Sequence, residues 1–483
     1  MQLATLGLNA PSDLSKTWNR TVLHSLGARI RSWMSEPQFR WGMALAVIGV
    51  LERAWLWSVY QPISYSDTNG YMRLARVLSR LTLEGYAGTR VPGFPALLAA
   101  VGLDPEQAWL AQMALGWLIS LLLFWMTWRV TGSTGLGIMI GGLYNFIPGQ
   151  ILFEANLLTE TLTTFWVVLS LTLLVVLRQV NNQVAGIILA LVLGVSASAT
   201  GMVRPLFFPL TVWLVPFVWF AVESDWRHRL LRVLVFSMGP LLIQGGWLLF
   251  IYNRFHMLSP TTMGGFSLVQ HTGEYFEYLP DSVASIRDTY LHYRDLHIAE
   301  RGVQTNAIWD AIPAMTEASG LSSYALSRKM SQLSIQLILQ HPDLYLRNVL
   351  EGWVAFWKAP VYWQPSAVHS GVARGLIAFM VPIGRGISII ANGLFLFISL
   401  IALMRKVWRV RLGFGRQMVA SAGLVWWISI VQTLVDHGDN PRFLVPLQMV
   451  VFCVVICSLW FYFHNTTSIE VTALKEAQIR EKE

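Results

Sequence analysis

The chain has 483 residues, of which 54% are apolar and only 13% charged, where a soluble domain carries about 25% charged residues. The deficit is concentrated in runs near the ~20 residues that cross a ~30 Å hydrocarbon core, which excludes a soluble enzyme, a disulfide-built secreted module and a disordered chain. The net charge of +8 reads as the Lys/Arg bias of cytoplasmic loops rather than as a nucleic-acid surface.

Residues 1–40 are polar and basic, with Lys16, Arg20, Arg29, Arg31 and Arg40, and are predicted to be a cytoplasmic segment. The first span is expected at 41–62 and carries Glu52 and Arg53 in its middle. Each costs roughly 3 kcal/mol on insertion scales, so both need partners. Neighbours in a helix point to different faces, so they are not expected to pair with each other. A loop over 63–107 follows, with Asp67 in Tyr65-Ser66-Asp67-Thr68-Asn69-Gly70-Tyr71 and Arg90 in Arg90-Val91-Pro92-Gly93-Phe94-Pro95. Asp67 suits the cap of a surface helix starting near Gly70.

Further spans are predicted at 108–128, 135–152, 159–177, 184–203, 205–222 and 233–252, completing a membrane module over 41–252. Glu154 and Glu160 lie at the joint of the third and fourth spans, and Arg204 at the joint of the fifth and sixth. Residues 253–370 have a mixed composition and are predicted to form a small, mostly helical domain. Within it 324–363 reads as helix broken at His341-Pro342, and the tryptophan-rich stretch from Trp353 to Trp363 around Lys358 reads as an interfacial helix. The C-terminal membrane part, 371–463, holds spans at 387–404, 418–436 and 443–463. Residues 374–386, interrupted by Pro382 and Gly384, suit a re-entrant piece, a surface helix or an eleventh span. Asp436, His437, Asp439 and Arg442 occupy the joint before the last span, and 464–483 is predicted to be a cytoplasmic tail. The two cysteines, Cys453 and Cys457, fall on one face of that last span, so no disulfide framework is available. The fold class is an all-α polytopic membrane protein of about ten to eleven helices.

Arg129, Arg178, Arg227, Arg229, Arg232, Arg405, Lys406, Arg409, Arg411 and Arg416 all fall on one side of a ten-span chain, together with both termini. That side is read as cytoplasmic. Asp67, Arg90, Glu154, Glu160, Arg204, Asp436, His437, Asp439 and Arg442 then share the outer side with the two long segments. Acids beside arginines at that depth suit an anionic lipid head group and a reacting hydroxyl. Asp436, His437 and Asp439 add side chains compatible with acceptor or metal contacts, though one histidine with two carboxylates is a weak metal signal.

An acidic residue after the first span, followed by Arg90-Val91-Pro92-Gly93-Phe94-Pro95, resembles the GT-C superfamily of membrane glycosyltransferases, most nearly the family 39 protein O-mannosyltransferases and lipid A aminoarabinose transferases. Leu158-Thr159-Glu160, Val203-Arg204-Pro205, Asn440-Pro441-Arg442-Phe443 with Pro446, and His341-Pro342 extend the resemblance over about residues 40–463. Where many relatives carry an adjacent acidic pair, this chain has a single Asp67. The resemblance implies a multi-pass enzyme of the inner or plasma membrane that uses a polyprenyl-phosphate-linked sugar. It implies transfer to a lipid, glycan or protein acceptor on the outer face, with inversion. Asp67 would be the general base, with Glu160 and Glu154 next in line, and Arg90, Arg204 and Arg442 would bind the donor phosphate. No cofactor is implied with certainty; a divalent metal stays open because relatives differ. Two other classes fit the membrane setting: a transporter or flippase for lipid-linked glycans, and a surface polysaccharide polymerase or ligase.

Overall fold

The computed structural model describes residues 36–222, 225–438 and 440–480. Among them the regular structure is helical, apart from one isolated bridge between Ile63 and Asn156. The protein is an all-α polytopic membrane protein. The first span, α1 (Pro37–Val59), leads into two short helices, α2 (Ser66–Leu78) and α3 (Gly93–Ala100). Next comes α4 (Pro105–Thr131), which starts on Pro105 with the Asp104 side chain accepting from Glu106 N and stops at Gly132, whose φ of 72° suits a residue without Cβ. The following span is broken: α5 (Thr134–Phe146) and α6 (Pro148–Ala155) meet at 62°. Pro148 causes the break, because it cannot donate to the preceding turn.

Then follow α7 (Glu160–Leu177), α8 (Gln183–Val203), the short α9 (Pro205–Trp219) and α10 (Trp226–Phe255). The 253–370 segment contributes α11 (Gly264–Thr272), α12 (Ala284–Arg301), α13 (Ala307–Ser319), α14 (Ser323–Gln340) and α15 (Pro342–Phe356). The chain ends with α16 (Gly371–Met404), α17 (Arg416–Val435) and α18 (Pro441–His464). Among the described residues eight helices are long and apolar enough to cross a membrane, or nine if the bent α5–α6 pair is one span.

The short α9 supplies the tenth membrane element, and its neighbours show why. Gly186 of α8 lies against Arg232 of α10, Gly194 against Phe236, and Gly201 against Gln244. The two helices therefore run parallel, and the chain between them must return to the side where α8 began. Trp213 Nε1 donates to the Ala420 carbonyl at 3.0 Å, and Arg416, at the start of α17, donates to the Phe220 carbonyl. α9 thus runs from Arg204 at one surface to Phe220 at the other. A Cβ on Gly194 would sit 2.0 Å from the Phe236 carbonyl oxygen. Small residues carry this contact because lipid offers no hydrophobic drive for helix pairing and close van der Waals approach must supply it.

Two expectations are corrected. Residues 374–386 form neither a re-entrant piece nor an eleventh span; they continue into α16, with Pro382 inside the helix. At 34 residues that helix is about 51 Å long, so its first turns project beyond the hydrocarbon. The interfacial helix expected from Trp353 to Trp363 stops at Phe356, before Pro360. Trp357 turns inward instead, stacked on Phe395 at 5.8 Å, and its carbonyl accepts from Asn392 Nδ2 at 2.9 Å.

The 253–370 segment has a core of its own, built on Phe266, Val269, Phe276, Tyr290, Met315, Met330 and Leu337. The predicted break at His341-Pro342 separates α14 from α15. The segment is tied to the loop between α2 and α3, where Thr262 N donates to the Gly88 carbonyl at 2.8 Å.

Candidate active site

Four short contacts carry the site residues to one place. After α1 the chain docks on the end of α6: Ile63 N donates to the Ala155 carbonyl at 2.8 Å and Leu157 N to the Ile63 carbonyl at 2.9 Å. Thr68 Oγ1 accepts from Tyr65 N at 2.9 Å and donates to the Leu157 carbonyl at 3.0 Å. α2 therefore begins beside α7, with Asp67 in its first turn rather than at its cap. An anion there gains from the unpaired N–H groups of the helix start. Gly93 closes the third contact: a Cβ there would lie 2.5 Å from the Met202 carbonyl oxygen. Only glycine lets α3 approach the end of α8 so closely, and that approach brings Arg90 toward Arg204. The fourth fixes Arg442: Gln150 Nε2 donates to the Val445 carbonyl at 3.2 Å, and Phe443 presents its ring to Arg204, whose guanidinium carbon lies 4.3 Å from the ring centre.

Asp67, Glu160, Arg90, Arg204 and Arg442 form one ionic cluster. Asp67 Oδ1 accepts from Arg90 Nη2 at 2.6 Å and Oδ2 from Arg442 Nη2 at 2.8 Å. Glu160 Oε1 lies 2.9 Å from Arg442 Nε and 3.4 Å from Arg204 Nη1. Arg442 therefore bridges the two carboxylates with different nitrogens. Arg90 also lies over the Tyr71 ring, at 5.1 Å. Three guanidinium groups face two carboxylates, which leaves one formal positive charge. Glu160 Oε2 and Arg90 Nε are buried without a hydrogen-bond partner. Burial pushes the Asp67 carboxyl up, but Arg442 and Arg90 beside it, with Arg204 further off, outweigh burial and hold it below the usual carboxylate range. Such a cluster suits an anion with several oxygens, because guanidinium groups bind phosphate through two parallel bonds.

Glu154, expected among the reacting groups, is not in this cluster. It points back into the membrane part, where Oε1 accepts from Arg53 Nη2 at 2.6 Å. Arg53 also donates to the Gly49 carbonyl at 3.0 Å and to Asn145 Oδ1 at 3.3 Å. Gly116 makes the room, since a Cβ there would fall 1.8 Å from Glu154 Oε1. Arg53 thus finds the partner that its mid-span position demanded, and the partner is Glu154 rather than Glu52. On the lipid side of the pair an apolar groove of about 390 Å³ runs between α1 and α4, lined by Val50, Arg53, Trp57, Leu110, Met113 and Trp117.

His437 is turned toward the 253–370 segment, and Asp436 is held within its own loop. Asp436 Oδ1 accepts from Gly438 N at 2.8 Å, and the His437 ring meets the His271 ring edge to face at 5.6 Å. Asp439 lies outside the described residues. Among the described residues no group of three or more His, Cys, Asp or Glu side chains is placed to hold a metal ion. Sequence reasoning passed over Gln150 and quoted Thr68 and Phe443 only as neighbours of Asp67 and Arg442; all three position the cluster, and each is an ordinary residue type whose role comes from its surroundings.

No protein-family model matches the chain, and neither does any curated protein sequence. Two solved structures of an oligosaccharyltransferase from Archaeoglobus fulgidus are similar to it at 13% identity. One is AglB in complex with an inhibitory peptide and a dolichol-phosphate, with a TM-score of 0.47 over 91% of this chain and 52% of that one. The other is tethered to an acceptor peptide containing the NVT sequon via a disulfide bond, with a TM-score of 0.48 over 91% and 51%. The chain spans about half the length of these proteins. A likeness of this degree assigns neither a family nor an activity.

Proposed function

We propose that this chain is a membrane glycosyltransferase of the GT-C kind. It moves a sugar from a polyprenyl-monophosphate donor to an acceptor hydroxyl on a lipid, glycan or protein. The observation that carries the reading is the five-residue cluster, with one unmatched positive charge and a partly exposed carboxylate. A phosphodiester-linked donor carries one negative charge and brings the site to neutrality. Asp67 takes the acceptor O–H proton as that oxygen bonds to the anomeric carbon. The bond from that carbon to the phosphate oxygen breaks, and its electron pair leaves with the phosphate. The lipid phosphate gains one negative charge while Asp67 loses one, so neutrality persists through the step. Arg90, Arg204 and Arg442 stabilise the charge that develops on phosphate. Direct displacement inverts the anomeric centre. A diphosphate-linked donor would bring a further negative charge that these side chains leave unmatched.

The test is transfer from radiolabelled polyprenyl-phosphate sugars by the purified protein. Activity with monophosphate donors supports the reading. Activity with diphosphate donors alone, or flux of a labelled lipid across vesicles without transfer, would replace it with the ligase or the transporter reading. We place the cluster on the extracytoplasmic side. A cysteine introduced at Ser282 should then react with an impermeant maleimide from outside, and one at Val410 should not.

A further inference from the structure

We propose that Asp67 is released for proton transfer only when the donor phosphate takes its place on Arg90 and Arg442, so that the substrate itself arms the base. This rests on the reading that the site binds a lipid-linked phosphate. Both oxygens of Asp67 are occupied: one by Arg90 at 2.6 Å and the other by Arg442 at 2.8 Å. Charged hydrogen bonds of this kind favour the ionised carboxylate. A base acts best when its affinity for protons matches the working pH. In the arrangement seen here Asp67 is therefore a poor base, with each of its oxygens already held by an arginine.

Exposure divides the cluster into an exchangeable half and a fixed half. The Asp67 and Arg90 side chains are 26% and 30% exposed, whereas Glu160 is 0% and Arg204 6% exposed. A ligand arriving from the surface reaches the first pair and not the second. Arg442 stands between them and uses separate nitrogens: Nη2 donates to Asp67, and Nε lies 2.9 Å from Glu160 Oε1 as a charge contact rather than a hydrogen bond. It can exchange one partner without loosening the other. Glu160 is then a positioning residue that holds Arg204 and Arg442 while the partner changes. The guanidinium groups exchange one oxyanion for another, and the cost falls on Asp67, which gives up two charged partners and so competes with the ligand. Once displaced, Asp67 lies beside a negative phosphate and away from its arginines, and both changes raise its proton affinity.

The experiment measures polyprenyl phosphate binding to the purified full chain, with folding of each variant checked by melting. Under exchange, Asp67 competes with the ligand, so Asp67→Asn should tighten binding about tenfold or more, and Arg442→Gln should abolish it. If the wild type binds, Arg442→Gln loses binding and Asp67→Asn binds no tighter, the exchange is wrong and the phosphate site stands. If neither wild type nor Asp67→Asn binds polyprenyl phosphate, the phosphate site itself falls, and the exchange with it. Inorganic phosphate is the second probe; an equal response would keep the exchange and remove the lipid chain from recognition. A measurement on the unmutated protein guards against a misfolded variant. Infrared difference spectra on adding polyprenyl phosphate should show a shifted carboxylate band, and an unchanged band would overturn the exchange.

Discussion

Arg53 meets Glu154 at 2.6 Å with side chains 6% and 0% exposed, and Asp67 meets Arg90 at the same distance with 26% and 30%. An arginine paired with a carboxylate serves opposite ends in the two places. The first pair is closed: one cation, one anion, inside the helix bundle, with Asn145 and the Gly49 carbonyl taking further donors. The second is open: three cations share two anions, one arginine serves both, and part of the set faces outward. A closed pair answers the cost of burying charge in lipid. An open set with an unmatched charge has capacity left for a ligand. What separates structure from chemistry is thus stoichiometry and access rather than residue type.

Asp67→Asn should give the largest effect. A general base contributes a factor of about 10²–10⁴, or roughly 3–5 kcal/mol of barrier. Turnover per folded molecule should fall by at least about a hundredfold; full activity would place the base elsewhere, with Glu160 the nearest remaining carboxylate. Arg53→Met sharpens the contrast from the other side. It strands a buried Glu154 and should destabilise the protein by about 3–5 kcal/mol, seen as a lower melting temperature. Activity per folded molecule should survive, and replacing both Arg53 and Glu154 by methionine should restore much of the stability. Lost turnover in a well-folded Arg53→Met protein would tie the two regions together.

A smaller effect is expected of Arg442→Lys, which keeps the charge but loses the planar fork that bridges Asp67 and Glu160. Loss of one charged hydrogen bond is worth about 1.5–3 kcal/mol, so donor turnover should fall roughly ten- to hundredfold. Unchanged turnover and donor affinity would make Arg442 a lipid anchor. The smallest effect concerns pH. Arg442 and Arg90 hold the Asp67 carboxyl below its ordinary value of 3.8. Its pairing therefore stabilises the fold at neutral pH, and that contribution is lost as pH falls through and below 3.8. The melting difference between wild type and Asp67→Asn should narrow there; a constant difference would mean that the carboxylate adds no pairing stability.

Much of the architecture was legible from composition alone. Apolar runs of span length follow from local pattern, because lipid penalises charge and unpaired backbone wherever they occur along the chain, and the expectation that Asp67, Arg90, Glu160, Arg204 and Arg442 lie opposite the basic loops is read from the same pattern. The partners of those residues did not follow. Glu154 and Glu160 sit six positions apart at one predicted joint, yet one turns to Arg53 and the other to Arg442. That division is set by the bend at Pro148, the docking of Ile63 on Ala155 and Leu157, and the space at Gly116. The same holds for 374–386, absorbed into α16 despite Pro382, whereas the short α9 falls within the span expected at 205–222, and the parallel run of α8 and α10 requires it to cross. Sequence determines which segments must leave water, since that cost is summed residue by residue. Only the tertiary structure decides which charges meet, since pairing depends on contacts between residues as far apart as Asp67 and Arg442.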